Sequence, residues 1–367
     1  MVGIEGCCFL SEFAKFLTPP DGTLQARERL YFVTNRIKSY EYTSKWSDSG
    51  DFRLTMPADK DIIRKIKFDD IILYDGDHLI VNDIDINDDI LTLSGSDLKS
   101  ILRRRKSAVS NGNYDTVEGT SALCILHYLN NNFISPVDTI RQIPMEFVGN
   151  SVTGLADEAY MARLEDCGDI IKNLCDNAQI GYTIKGDRQK FRFELLQGVD
   201  RSAGQSDRPR VIFSASRRNV TNEKFSNSSS NYYNAIYAMG NSVITCEYRD
   251  TSSIPSGLGR KECVVNIDDS DISAIHLQAI EAVKDNIITH GYDVTPTFDG
   301  YGKDYQLGDI VSVKDRYTNN IFSGIISEVQ KSYSEQEKSI KISIGQGKKK
   351  LFTRIINNMI SGVQQRR

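Results

Sequence analysis

Between Leu30 and Gly95 the sequence returns repeatedly to short apolar, β-branched runs cut off by Asp and Gly, and this cadence limits the fold more than any other feature. Leu30-Tyr31-Phe32-Val33 opens the series. Phe52-Arg53-Leu54-Thr55-Met56-Pro57 then alternates apolar with polar and stops at a proline. A period of two sends alternate side chains to opposite faces, so such a run forms a half-buried strand. Asp70-Ile71-Ile72-Leu73-Tyr74 meets Asp75-Gly76-Asp77 and continues as His78-Leu79-Ile80-Val81, a hairpin signal. Ile84-Asp85-Ile86 and Ile90-Leu91-Thr92-Leu93-Ser94-Gly95 supply a further pair of strands, with a short helix expected over Asp59 to Lys67. Many short strands with tight turns predict a small antiparallel barrel or sandwich.

The cadence resumes near the other end, in Ile310-Val311-Ser312-Val313, Ile321 to Val329 and Ser339 to Gly345, where a second barrel is expected. Between the two, the pattern mixes periods. Thr120 to Leu129, Tyr160 to Ala178 and Asp271 to His290 carry apolar residues three and four apart and read as helices. Gly181 to Asp187 and Phe191 to Leu195 read as a hairpin. The expected fold is therefore α+β and β-rich, with two small antiparallel β-barrels near the ends and mixed α/β regions between them. The boundaries fall as an N-terminal arm (1–29), a first barrel (30–106), a mixed α+β region (107–210), strands plus a long helix (211–296), a second barrel (297–347) and a basic amphipathic tail (348–367).

Charge and cysteine content exclude several classes. The 45 Lys and Arg nearly balance 49 Asp and Glu, so the total does not mark a nucleic-acid binder. Lys348 to Arg367, by contrast, holds six basic residues and no acid, with Leu351, Phe352, Ile355, Ile356, Met359, Ile360 and Val363 on a helical stripe. That combination suits docking onto another protein better than onto a membrane surface. The seven cysteines are odd in number and form no C-x-x-C pair, which points to free thiols in a protein assembled in reducing cytoplasm. No apolar run approaches the roughly 18 residues of a membrane span.

Catalytic equipment is not visible. His78, His127, His276 and His290 are far apart in sequence, and neither G-x-S-x-G nor H-E-x-x-H occurs. Asp83 to Asp89 is acid-rich but lacks the glycine and terminal Glu of an EF-hand loop, and hairpin edges explain it. Asp268-Asp269-Ser270-Asp271 suits the start of a helix, where carboxylates meet the macrodipole. Gly257-Leu258-Gly259 is too short for a phosphate loop. The expectation is a non-enzyme with no catalytic, cofactor-binding or metal-binding residues.

Several motifs nevertheless follow one another in a telling order. Trp46-Ser47-Asp48-Ser49-Gly50-Asp51-Phe52-Arg53-Leu54-Thr55-Met56-Pro57 precedes Leu91-Thr92-Leu93-Ser94-Gly95-Ser96-Asp97-Leu98, whose helix runs into Arg103-Arg104-Arg105. Arg141-Gln142-Ile143-Pro144, Asn231 to Gly240 and Leu307-Gly308-Asp309-Ile310-Val311-Ser312-Val313 come next. In this order and spacing the chain resembles the hub proteins of phage tails and of contractile, bacteriocin-like injection particles, from about Leu30 to Gly345. The resemblance implies a homotrimer in which each subunit gives two barrels to a pseudo-sixfold ring, adapting a hexameric tail tube to a spike or fibre. It implies as partners the tube protein, the tape measure protein and spike, fibre or baseplate proteins, and as location the tail tip of a virion or tail-like particle assembled in the bacterial host. The alternatives are a tail-associated cell-wall endopeptidase or lysin and a receptor- or glycan-binding tip module, the latter suggested by 17 Tyr and the Ser/Gly/Pro-rich loop Thr251 to Gly259.

Overall fold

A computed structural model describes residues 14–17, 30–108, 114–148, 152–186, 190–248, 253–283, 289–297, 300–317, 319–334 and 337–345. The basic tail, the turn at 110–113, Cys7-Cys8 and most of the expected arm lie outside these residues. The chain forms two compact units, one running to Lys224 and resuming at Asp293, the other built from Phe225–Tyr292.

The first unit corrects the expectation of two barrels. No sheet among the described residues closes. The strand groups from both ends of the chain belong instead to one 13-stranded sheet. Its order runs Val220–Ser228, Thr289–Pro296, Lys338–Gly345, Ile321–Ser334, Ser39–Lys45, Asp51–Pro57, Ile90–Asp97, Asp77–Asn87, Ile71–Tyr74, Ala14–Leu17 and Leu30–Thr34. Off this path, Ile310–Lys314 pairs with both Ile321–Ser334 and Ile212–Phe213.

The physical reason lies in one strand. Ile321–Ser334 is 14 residues long, so it can hold Lys338–Gly345 on one side and Ser39–Lys45 on the other. Length of this kind is a consequence of alternation sustained past the first hairpin, with Ile326, Val329 and Tyr333 all buried. Two further departures have local causes. Asp77–Asn87 is one strand with a bulge between Val81 and Asp83, where two separate strands were expected. Ala14–Leu17, expected in the arm, pairs with Leu30–Thr34 and Ile71–Tyr74.

The middle of the chain builds an α+β layer on this sheet. Gly181–Gly186 and Phe191–Leu196 form the expected hairpin, and Met145–Val148 adds in parallel to its second strand. The helix Cys167–Ala178 begins later than the expected Tyr160, because Asp157–Ala162 is drawn into pairing with Asp115–Thr120. Asp166 then caps it, its carboxylate accepting from the backbone of Gly168 and Asp169 at 2.9 and 3.4 Å. Gln179 ends it in the left-handed region with φ +57°. Tyr128, Phe133, Ile171, Leu174 and Phe193 share a core with Ile71, Ile80, Leu98 and Leu102 from the sheet region, so the two layers bury a common interior.

The second unit is smaller. Its sheet places Ala235–Met239 between antiparallel Ile244–Tyr248 and parallel Glu262–Asn266. The helix Ile272–Val283 covers one face through Ile275, Ala279 and Val283 against Ile236 and Ala238. Asp271 caps it, accepting from the Ser273 amide at 2.7 Å. The helix was expected to reach His290, but Thr289–Pro296 is a strand and 284–288 lie outside the described residues.

Candidate functional site

The single tryptophan marks the place where distant parts of the first unit meet. Trp46 follows the strand Ser39–Lys45 and is 7% exposed. Its amide donates to the Ser327 carbonyl at 2.9 Å, and its own carbonyl accepts from the Tyr182 amide at 3.3 Å. The indole lies against two glycines. A methyl group on Gly181 would stand 2.4 Å from the ring, and one on Gly308 would stand 2.3 Å away. Gly308 also has φ +91°, a conformation that side chains resist. Glycine is thus required twice at this joint. Trp46 Nε1 is buried without a hydrogen-bond partner among the described residues.

Next to Gly308, Asp309 is fully buried and holds the loop together. It accepts from the Val199 amide at 3.0 Å, the Gln306 amide at 3.1 Å and Arg201 Nε at 2.9 Å. Alanine at Asp309 leaves those donors and the Arg201 charge without their acceptor, so the variant should lose roughly 3–5 kcal/mol of stability in denaturant unfolding.

A second cluster joins the end of Ile90–Asp97 to Ser39–Lys45 and to the turn at Gly50. Asp97 accepts from Tyr42 Oη at 3.0 Å, the Gly50 amide at 3.1 Å and the Lys99 amide at 3.1 Å. Lys99 Nζ donates to the carbonyls of Lys45 and Asp48 and stands over the Tyr182 ring. Burial pushes the Asp97 carboxyl up to about 6, against the pull of Lys99 and its donors. A folded value above the unfolded one of about 3.9 means the native state binds the extra proton, so this group's contribution falls as pH rises from about 4 to 6. The expected size is about 2–3 kcal/mol, measured as the loss of unfolding stability across that window, with the Asp97 carboxyl ¹³C shift titrating in step.

The arginine run Arg103-Arg104-Arg105 closes the helix that the sequence leads one to expect there. That helix is a short 3-10 turn, Leu98–Arg104, and the basic residues at its end pair across elements. Arg103 bridges Asp48 at 2.8 Å and Asp169 at 2.7 Å, Arg104 meets Asp69 at 2.6 Å and Lys106 meets Asp166 at 3.1 Å.

The third fastening links the ends of the chain. Lys331, 8% exposed, contacts Asp75 at 2.9 Å and Asp77 at 2.7 Å. Tyr333 Oη donates to Asp75 at 3.0 Å and Tyr40 Oη to Asp77 at 3.2 Å. Burial opposes the Lys331 charge, but the two carboxylates outweigh it and hold its pKa above the usual lysine value. Burial likewise lifts Asp77 in spite of Lys331.

The remaining sequence candidates are dispersed. His127 contacts Asp115 at 2.7 Å on the helix Ser121–Leu129, and His276 contacts Glu247 at 2.6 Å in the second unit. His78 lies in the bulged strand, its pKa lowered by burial and by Lys185, and His290 lies in Thr289–Pro296. Asp83 to Asp89 forms the exposed end of a hairpin, with Asp88 and Asp89 in the left-handed region at its turn. Gly257–Gly259 is one 3-10 turn. Among the described residues no group of three or more His, Cys, Asp or Glu side chains is placed to hold a metal ion. Among the described residues no disulfide forms, and Cys124, Cys167 and Cys175 are buried. No described helix is long and apolar enough to cross a membrane.

This fold is that of phage tail proteins. It is similar to a 43 kDa tail protein of prophage MuSo2 from Shewanella oneidensis, with TM-score 0.53 and 13% identity over 91% of this chain and 97% of that one. A tail protein from Neisseria meningitidis MC58 gives 0.52 and 13%, over 91% and 96%. A chain of the Francisella PdpA-VgrG complex gives 0.51 and 13%, over 93% of this chain and 53% of that one. The chain belongs to the family of Siphovirus ReqiPepy6 Gp37-like proteins, whose pattern matches residues 25–245 and 268–346. No curated protein matches the sequence. The resemblance to phage tail proteins therefore holds. What the sequence did not reveal is that Trp46, Asp97 and Gly308-Asp309, read as separate stretches, are fastened within one unit.

Proposed function

We propose that this chain is a structural, non-enzymatic hub at the tip of a phage tail or tail-like particle. Three copies form a ring that joins a hexameric tube to a spike or fibre assembly. One observation carries the reading: strands from both ends of the chain pair side by side through Ser39–Lys45 and Ile321–Ser334. A subunit built this way offers two strand groups in fixed register, and three such subunits present six. That number matches a sixfold tube above while leaving threefold symmetry for a spike below.

The fastenings suit a load-bearing joint. The Trp46 packing, the buried Asp309 and the Lys331 triad all hold the two strand groups to each other or to the layer between them. Head-to-tail ring contacts would use the open sheet edges, of which Leu30–Thr34 is one, and so cover exposed pairing groups. The tube protein, the tape measure protein and spike, fibre or baseplate proteins are the partners this role requires. The likeness to a chain from a complex containing VgrG supports the spike-side partner.

Sedimentation equilibrium of the purified chain at physiological salt tests the reading. A species of three times the 41.3 kDa subunit mass is expected, with no release of fragments from purified peptidoglycan. A stable monomer that degrades peptidoglycan contradicts it.

A further inference from the structure

The two arginine-bearing motifs, Arg103-Arg104-Arg105 and Arg141-Gln142-Ile143-Pro144, meet at a cavity in the first unit. The cavity holds about 250 Å³, and its apolar walls are Ile71, Ile80, Ile101, Phe133, Ile143 and Phe191. That is smaller than the roughly 300–1,000 Å³ of small-molecule sites and suits a single branched side chain. Asp69, Arg104 and Arg105 form its polar side, where Arg104 pairs with Asp69 at 2.6 Å. Arg105 makes no ion pair among the described residues. The carbonyls of Arg104 and Arg141 accept from its Nη1 and Nε at 3.1 and 3.5 Å and fix it in place. An apolar socket beside a positioned guanidinium without a counter-charge selects an apolar side chain flanked by a carboxylate.

The same unit carries a segment of that chemistry. The hairpin end Asp83-Ile84-Asp85-Ile86-Asn87-Asp88-Asp89 has four carboxylates and no Lys or Arg. Asp83, Asp85, Asp88 and Asp89 are all exposed, and none is in an ion pair among the described residues. Ile86 lies opposite the buried Leu91 yet is itself 53% exposed, so it stands at the margin of the core. The tip cannot reach its own cavity. Ile80, in the cavity wall, and Ile86 lie on the same extended strand, which at roughly 3.3 Å per residue sets them ~20 Å apart. The tip therefore fits the cavity of another copy. Such a contact joins unlike surfaces, so it repeats head to tail and closes as a ring.

We propose that Ile86 of one copy enters the cavity of the next, with the turn carboxylates Asp88 and Asp89 beside Arg105. Each copy supplies one tip and one cavity, so a closed ring leaves neither over. The charge pairing fixes which surface meets which, since two tips repel and two cavities offer no carboxylate to each other's Arg105. This joint rests on the ring reading and names the surfaces that build it.

Sedimentation equilibrium of the full chain, of Ile86→Asp and of Arg105→Glu tests the joint. Each variant should need at least about tenfold more protein to reach the trimer, the change for a contact weakened by ~1.4 kcal/mol. Mixed in equal amounts, the two should form a two-chain species, because the cavity of the Ile86→Asp copy and the tip of the Arg105→Glu copy are both unaltered. A misfolded chain does not restore that species, so the mixture separates loss of the joint from loss of the fold. Asp88→Asn/Asp89→Asn, confined to the exposed turn and compatible with its left-handed backbone, should weaken assembly in the same direction. Variants that assemble as readily as the unaltered chain overturn this contact and leave the ring standing, as does a mixture no more associated than its parts. An unaltered chain that stays monomeric overturns both.

Discussion

Trp46→Ala should lower the unfolding free energy by about 3–5 kcal/mol, the range for removing a large aromatic side chain from a packed site. The indole reaches both Gly181 and Gly308 closely enough to exclude a methyl group at either, so its loss leaves a void that neither backbone can fill. Gly308→Ala should be comparably severe for the opposite reason. Its added carbon would meet the ring at 2.3 Å, on a residue whose φ of +91° already disfavours a side chain. Denaturant titration measures both losses. Hydrogen exchange should show the hairpin Gly181–Leu196 and the segment around Gly308 opening together in each variant, since both rest on the same ring. Losses under about 1 kcal/mol would mean that the joint relaxes freely.

Lys331→Met should cost about 2–3 kcal/mol at neutral pH, because it leaves the half-buried Asp75 and Asp77 carboxylates without their shared cation. The destabilisation should shrink as pH falls and Asp77, whose pKa burial raises, takes up its proton. Adding Asp75→Asn and Asp77→Asn should recover most of the loss, as expected when the penalty comes from unpaired charge and not from missing contact. Stability measured across pH for the single and triple variants separates the two causes. A loss that is independent of pH and survives in the triple variant would show that packing of the lysine stem matters more than its pairing with the two carboxylates.

The sequence revealed local structure well and long-range pairing poorly. Asp51–Pro57 was legible because Phe52, Leu54 and Met56 alternate strictly, and all three are buried. Asp75-Gly76 marked its hairpin because both residues take positive φ there. The start of Cys167–Ala178 was misplaced because Tyr160 and Met161 fit a helical period, while their pairing partners Val117 and Thr116 lie more than 40 residues away. The merging of two expected barrels into one open sheet was hidden for the same reason. Nothing near Ser39–Lys45 announces Ile321–Ser334 as its neighbour, since period sets which face is buried and not which strand lies alongside.

The candidate site followed the same division. Gly181 reads as the start of a hairpin and Gly308 as part of a strand motif, and only the fold shows that a tryptophan occupies the space their side chains would need. Asp75 and Asp77 read only as a hairpin turn, yet more than 250 positions of chain close to bring Lys331 to them. The order of motifs along the chain carried the family resemblance, because order survives when any one motif is too common to be specific.

The decisive measurement is a cryo-electron reconstruction of the tail tip in particles that carry this chain. Three copies should form a closed ring directly beneath the last hexameric layer of the tube, each contributing its two strand groups at alternate sixfold positions. Finding the chain as a single copy, as six equivalent copies, or only on fibres away from the tube axis would contradict the hub assignment.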